Sequence, residues 1–227
     1  MVTPVKTFQL RGPIAPNLPI APVQYTQQYQ DQLLNALRLY FNEIDNFGAG
    51  LLSPSNGGAT LTFPCISAYY YPSQYASADN TATTVLWNGS SRISGFTLNS
   101  DNTATAQQSG TYKITYSLQL VNNATSSEHV AYVWLKVNGT NVARSTTEFT
   151  IPKAASVDSY ICAYSEVVFT LNAGDYVELW WATDQAATSG GTKGIYIYAE
   201  PAQVSPYARP AIPSSLGSIT FVSAITT

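Results

Sequence analysis

Apolar residues between positions 26 and 48 recur in alternating steps of four and three, a spacing that keeps them on one narrow stripe of an α-helix. Thr26 is a suitable N-cap, and Gly48 with Gly50 interrupts the pattern. The sequence therefore predicts a helix over 25–48 whose stripe meets copies of itself. The residues of this predicted oligomerisation stripe are Leu33, Leu37, Tyr40, Ile44 and Phe47.

The predicted helix is too short to hold an assembly by itself. About 20 helical residues span roughly 30 Å, and helices of this length gain most of their stability from packing. We therefore expect the rest of the chain to help it trimerise. The alternative is that Leu34 and Phe41 widen the stripe, so that the helix packs on the remainder of the chain as an ordinary amphipathic helix.

From about residue 59 the apolar pattern changes to a period of two, with many β-branched and aromatic residues between turn signals. Asn138–Gly139 is typical of a tight hairpin turn. Eight or more short strands without an intervening helix predict a β-sandwich or jelly roll. The predicted strands are 61–67, 83–87, 112–120, 130–137, 166–171, 176–182, 194–199 and 218–225.

The segment before the helix has a proline at every third position from Pro13 to Pro22, which favours an extended backbone that cannot fold on itself. Apolar residues interleave these prolines and would be buried only against another surface. We expect residues 1–24 to be an anchoring arm, with a disordered linker as the alternative. The predicted anchoring residues are Ile14, Leu18, Ile20 and Val23.

The composition argues against two classes of binding partner, nucleic acids and membranes. Only 10% of the residues are charged and the formal net charge is −3, so we expect no nucleic-acid partner. No run of about 18 apolar residues and no signal peptide is recognisable, so we expect no membrane insertion. The low charge is typical of an extracellular or virion surface built from Thr, Ser, Asn, Gln and Tyr.

The sequence offers few candidates for catalytic or metal-binding residues. His129 is the only histidine and no nucleophile motif accompanies it, while Cys65 and Cys162 lie in apolar contexts where we expect small buried thiols rather than a disulfide. Carboxylates such as Asp184 are scattered along the chain. We therefore predict no catalytic residues, no cofactor and no metal site, and we expect that the protein is not an enzyme.

The aromatic residues are the other candidate chemistry. Tyr69 to Tyr71 and the pair Trp180 and Trp181 could stack on sugar rings. Because successive strand residues face opposite sides, only one of the two tryptophans can line the core. We expect the other to face solvent or, more readily, another subunit.

Three motifs in order resemble the C1q/TNF-like jelly roll: SGTYKITYS at 109–117, VWLKVNG at 133–139, and VFTLNAGDYVEL at 168–179. The resemblance covers residues 59–227 and implies a ten-stranded sandwich that packs as a compact homotrimer. The chain departs from that family near its end, where the proline-rich segment 206–213 precedes one further apolar strand. The resemblance leaves the place of that strand open.

A second resemblance concerns the segments 17–25, 37–46 and 209–216, which are similar to small virion structural proteins of tailed phages, notably those of marine hosts. It implies a homotrimeric phage appendage, a fibre or knob, whose arm binds other virion proteins. Such a protein is assembled in the host cytoplasm and displayed on the particle exterior, where a host-surface glycan is a candidate partner. The alternatives are a capsid decoration or vertex protein and a secreted C1q-like carbohydrate-binding module.

Overall fold

The computed structural model describes residues 13–24, 26–52 and 63–225. The chain divides between residues 62 and 63 into an N-terminal unit and a C-terminal unit. The first twelve residues of the predicted arm and residues 59–62 of the predicted jelly-roll region lie outside the described residues.

The N-terminal unit contains one helix, α1, which spans Gln27–Leu52, and residues 13–24 before it form neither helix nor strand. The predicted cap is confirmed, because the Tyr29 N–H donates to Thr26 Oγ1 at 3.3 Å. The predicted end of the helix at residue 48 is wrong. A glycine costs a helix about 1 kcal/mol relative to alanine but keeps the backbone hydrogen bonds, so Gly48 weakens the helix without ending it.

The C-terminal unit is built from strands alone over residues 63–225. Five of its strands, β3, β4, β5, β8 and β9, escaped the sequence pattern because they are short or polar. The strands are β1 Cys65–Tyr70, β2 Thr83–Thr84, β3 Gly89–Ser94, β4 Phe96–Leu98, β5 Ala104–Ala106, β6 Gly110–Asn122, β7 His129–Val137, β8 Thr140–Asn141, β9 Thr147–Ile151, β10 Ser159–Leu171, β11 Tyr176–Thr183, β12 Ile195–Ile197 and β13 Ser215–Ser223.

The strands form two antiparallel sheets. Sheet A has the order β10-β6-β13-β1-β3, with β12 beside β6, and sheet B has the order β4-β5-β11-β7-β8, with β2 beside β11 and β9 beside β7. Strands distant in sequence are neighbours, as in β1 with β13, which is the mark of a jelly roll rather than of a meander. The predicted fold class, a mainly β jelly-roll sandwich of C1q/TNF-like type preceded by one helix, is confirmed.

The last strand, whose place the sequence left open, is central. β13 lies between β6 and β1, pairing Ile219 with Ile114 on one side and with Ile66 on the other. Gly217 of this strand is required by packing, because a Cβ there would lie 2.7 Å from the Trp87 ring. β13 is therefore part of the core sheet.

The core fills the space between the two sheets, as strict alternation along the strands dictates. Along β6, every second residue from Tyr112 to Leu120 is buried. Burial of large apolar side chains of this kind contributes about 1.5 to 3 kcal/mol each. The largest fully buried side chains include Trp87, Trp181, Tyr112, Tyr116, Ile66 and Leu135.

Candidate assembly surface

The outward face of sheet A carries almost no charge. Along the four adjacent strands β10, β6, β13 and β1 the charged residues are Lys113 and Glu166, whose Nζ and Oε2 atoms are 3.3 Å apart. The edge strand β3 adds Arg92, which is exposed and level with Ser67. The side chains of Lys113 and Glu166 are both more than a third exposed, so the pair contributes little to stability. The two charges of the pair do, however, cancel each other, so β10, β6, β13 and β1 together carry no net charge. These four strands are thus unusually neutral for a protein surface.

Small hydroxyl residues line a shallow groove across this face. The strand register brings Ser117 level with Tyr164 and Leu216, and Thr115 level with Ser218 and Glu166. The groove has a volume of about 210 Å³. Its walls are the exposed side chains of Tyr164 and Leu216. We call it the sheet A groove, and its lining residues are Ser67, Thr115, Tyr116, Ser117, Tyr164, Leu216, Gly217 and Ser218.

Beside the groove, sheet A ends in a long strand with an unpaired edge. β10 pairs with β6 over all 13 of its residues, while no described strand pairs with its other side. Tyr160, Tyr164 and Val168 point outward from it, each more than half exposed. Proteins usually shorten, charge or cover such edges, since an unpaired apolar edge favours association. β10 is neither short nor highly charged, so we expect another surface to cover this edge.

A cluster of tyrosines continues the apolar surface at the beginning of β10. The Tyr75 and Tyr196 rings stack with centroids 5.3 Å apart, and Tyr198 contacts both Tyr196 and Tyr160 edge-on. Burial, together with the nearby charge of Asp158, raises the pKa of Tyr196 to about 12. The Tyr196 phenol therefore stays neutral at physiological pH and adds no charge to the surface.

The outward face of sheet B is different. Lys136 stands directly opposite Glu178, and Trp134 directly opposite Trp180. The Lys136 Nζ lies 3.6 Å from the centroid of the Trp180 ring, a cation–π contact. Trp134 Nε1 donates to Asn141 Oδ1 at 3.0 Å. On this face Lys136 and the Trp134 indole therefore already have partners within the chain.

The two tryptophans divide as the alternation rule predicts. Trp181 is fully buried in the core and Trp180 lies on the outward face of sheet B. Since Lys136 lies over the Trp180 ring, a partner stacking there would have to displace it. That Trp180 contacts another subunit stays a prediction.

The predicted oligomerisation residues share one stripe of α1. Leu33, Leu37, Tyr40, Ile44 and Phe47 are each half-buried, while Leu34, Leu39 and Phe41 on neighbouring faces are more than half exposed. The predicted anchoring residues Ile14, Leu18, Ile20 and Val23 are all exposed as well. Both roles stay predictions, and both groups present apolar surface that is open to a partner.

The cysteines are free, but the predicted burial of Cys162 is wrong. It is exposed on β10, where even-numbered residues point outward, and its Sγ lies 3.1 Å from Ser117 Oγ. Cys65 is half-buried. Within residues 13–24, 26–52 and 63–225, no group of three or more His, Cys, Asp or Glu residues is arranged to hold a metal ion. The same residues contain no helix long and apolar enough to cross a membrane.

One cluster escaped the sequence pattern altogether. His129 contacts Ser127 on one side and Asp184 on the other, although Asp184 lies 55 residues further along the chain. Only the antiparallel pairing of β7 with β11 brings the carboxylate to the histidine. A serine two residues before a histidine has no recognised motif that would have marked it.

Similarity to known proteins is found among solved structures and not among family models or curated proteins. No protein-family model matches the chain, and neither does any curated protein. Among solved structures, murine APRIL at pH 5.0 is similar over 70% of this chain and 100% of that chain, at 16% identity and a TM-score of 0.42. Eiger TNF from S. frugiperda is similar over 73% and 96%, at 10% identity and a TM-score of 0.43. The fold assignment rests on the strand order described above.

Proposed function

We propose that this chain is a homotrimeric structural protein of a phage virion, an appendage that is anchored by its N-terminal arm and displays its jelly-roll unit. The observation that carries the proposal is the uncharged groove of sheet A beside the unpaired edge of β10. A neutral face loses little hydration free energy when it is covered, whereas buried unpaired charges would oppose association. The role itself requires no chemical step.

The sheet A groove and the β10 edge adjoin on one chain, and the Tyr164 side chain belongs to both. When the β10 edge of one copy enters the sheet A groove of the next, the contact is head-to-tail, and such contacts form a ring when the rotation between copies closes. Tyr160, Tyr164 and Val168 supply apolar side chains, and the small residues Ser117 and Ser218 supply room for them. The C1q/TNF resemblance supports three copies in the ring.

The N-terminal unit fits the same assembly. In parallel copies the stripe from Leu33 to Phe47 would form the seam, and the exposed Leu34 and Phe41 widen it beyond a two-stranded coiled coil. The exposed arm residues, from Ile14 to Val23, then extend from one end as three equivalent arms. Each arm would bury its apolar residues on another virion protein.

The virion setting rests on the resemblance of the arm, the helix and the segment 209–216 to tailed-phage structural proteins. Assembly would occur in the host cytoplasm, and the jelly-roll unit would face outward from the particle, where a host-surface glycan is its candidate partner. A capsid decoration or vertex protein would differ only in what the arm binds. A secreted C1q-like carbohydrate-binding module would use the same jelly-roll unit without a particle.

Light scattering on the purified chain tests the trimer. We expect a mass near three times 24.5 kDa. Leu216→Asp places a charge on the groove wall and should dissociate the trimer, whereas Thr150→Asp, on the outward face of sheet B, should leave the mass unchanged. A wild-type chain that remains a monomer at high concentration would overturn the proposal.

Deletion of residues 1–24 tests the anchor. The truncated chain should keep the circular dichroism spectrum of a folded β protein and the trimeric mass, but it should be absent from purified particles. If it still assembles into particles, the arm is only a linker. A glycan array separately tests display, and a negative result across host polysaccharides would favour a purely structural role.

A further inference from the structure

Ser127, His129 and Asp184 form a continuous chain of hydrogen bonds at one end of the sandwich. The Ser127 Oγ lies 3.1 Å from His129 Nε2, and His129 Nδ1 lies 3.0 Å from Asp184 Oδ2. A neutral imidazole has one N–H, and a carboxylate can only accept, so Nδ1 carries the proton and Nε2 accepts from the serine hydroxyl. This is the order of contacts that activates a serine nucleophile.

The carboxylate at the end of this chain is held in position. Asp184 Oδ1 accepts the Val130 N–H at 2.9 Å and the Thr183 hydroxyl at 3.3 Å. Partial burial raises the pKa of Asp184, but hydrogen bonds from His129, Val130 and Thr183 outweigh it and lower the pKa below its ordinary value. Asp184 therefore stays ionised at neutral pH and orients the imidazole.

The backbone of the loop that contains Ser127 is also fixed by a buried side chain. Asn122 is fully buried, and its Nδ2 donates to the carbonyl oxygens of Ser127, Ile151 and Pro152 at 3.1 to 3.3 Å. Its Oδ1 accepts the Ala124 N–H at 2.9 Å. These bonds fix the backbone at Ser127 against β9 and β6. Such fixation keeps the hydroxyl close to its histidine, as nucleophilic catalysis requires.

Access differs sharply between the serine and the histidine. Ser127 is exposed, whereas His129 is only 6% exposed, so the hydroxyl stands at the surface with its base beneath it. Among the described residues, none accepts a hydrogen bond from the backbone N–H of Ser127 or of Glu128. The N–H groups of a nucleophile and its neighbour are suitable donors for a developing oxyanion.

We propose that Ser127 is an activated nucleophile that takes up the acyl group of a short, neutral ester. Its oxygen forms a bond to the carbonyl carbon while its proton passes to His129 Nε2. The bond from that carbon to the alcohol oxygen then breaks, and the His129 proton leaves with the alcohol. Water, deprotonated by the same nitrogen, attacks the acyl-serine and releases the carboxylic acid and free Ser127.

The surroundings narrow the substrate class. An exposed serine suits an acyl group as small as acetyl, carried on an accessible molecule, rather than a long chain that needs an enclosed pocket. The adjacent Glu128 is exposed and disfavours anionic esters. This activity is independent of the assembly proposed above, because neither the sheet A groove nor the β10 edge includes these residues.

A fluorophosphonate probe and p-nitrophenyl acetate test the proposal on the full-length chain. The wild type should become labelled and should hydrolyse the ester. Ser127→Ala should abolish both, while Ser126→Ala, in the same exposed loop and with no side-chain hydrogen bond to any residue that the structure describes, should behave as wild type. Asp184→Asn should keep the serine but slow labelling by at least about 100-fold, because the wrong imidazole tautomer is then favoured.

Absence of labelling in the wild type, or equal labelling of the Ser127→Ala variant, would overturn the proposal. Thermal melting of each variant separates chemistry from folding. If Ser127→Ala lowers the melting temperature and the wild type never reacts, the hydrogen-bond chain is a structural tether of the loop. Light scattering on the same samples reports independently on the trimer.

Discussion

Thr115 and Ser218 face each other across β6 and β13 with their hydroxyl oxygens 2.7 Å apart, at the floor of the sheet A groove. One hydroxyl donates to the other, so each group keeps one hydrogen bond when the groove loses its water. Substitution of these two residues therefore tests whether the groove is covered in the trimer.

Because these two hydroxyls bond to each other, we expect substitutions at Thr115 and Ser218 to have non-additive effects on the stability of the trimer. Ser218→Ala leaves the Thr115 hydroxyl unpaired in a covered groove and should weaken the trimer by about 1 to 3 kcal/mol. Thr115→Val with Ser218→Ala removes both groups and should restore most of the affinity. Dilution of the trimer followed by light scattering measures both. Additive losses would show that the groove stays hydrated.

Substitution of the two tryptophans of β11 should lower the free energy of unfolding by very different amounts. Trp181→Ala removes a fully buried ring and should lower the free energy of unfolding by about 3 to 5 kcal/mol. Trp180→Ala loses an outward ring and its cation–π contact, so its effect should be clearly smaller. Denaturant unfolding followed by far-ultraviolet circular dichroism compares the two. Equal losses would contradict the division into a buried and an outward ring.

The N-cap of α1 predicts a local effect. Thr26→Ala removes the oxygen that accepts the Tyr29 N–H and should destabilise the helix by about 1 kcal/mol. Thr26→Asp keeps an acceptor and should retain or raise the helical signal, so it is the matched control. Helical circular dichroism during thermal unfolding reports the difference. The β-sheet transition should not move in either variant.

The turn between β10 and β11 predicts a pH dependence. Hydrogen bonds from the Asn138 side chain and the Asn172 backbone lower the pKa of Asp175 below its ordinary value. A lowered carboxyl pKa stabilises the folded state above the unfolded pKa, and this contribution is lost as the pH falls below about 4. Asp175→Asn should therefore make the melting temperature fall less steeply as the pH is lowered. Melting temperatures measured across that pH range for the wild type and the variant check it.

Much of the fold follows from local patterns. The cap at Thr26 and the alternation along β6, β7 and β11 are visible in the sequence, because periods of 3.6 and 2 are properties of neighbouring residues. The short strands β3, β4 and β5 were missed, since three to six residues of mixed polarity carry no clear period. The end of α1 was missed for another reason: the penalty of a single glycine is smaller than the gain from continuing the helix.

The sequence by itself determined which residues alternate, where the helix begins, and that the chain carries little charge. Only the tertiary structure decided which strands are neighbours, and so which outward residues share a face. It collected Thr115, Ser117 and Ser218 into one uncharged groove and brought Asp184 to His129. The physical reason is that strand pairing follows from burying two sheets against each other, a condition on the whole chain that no local window contains.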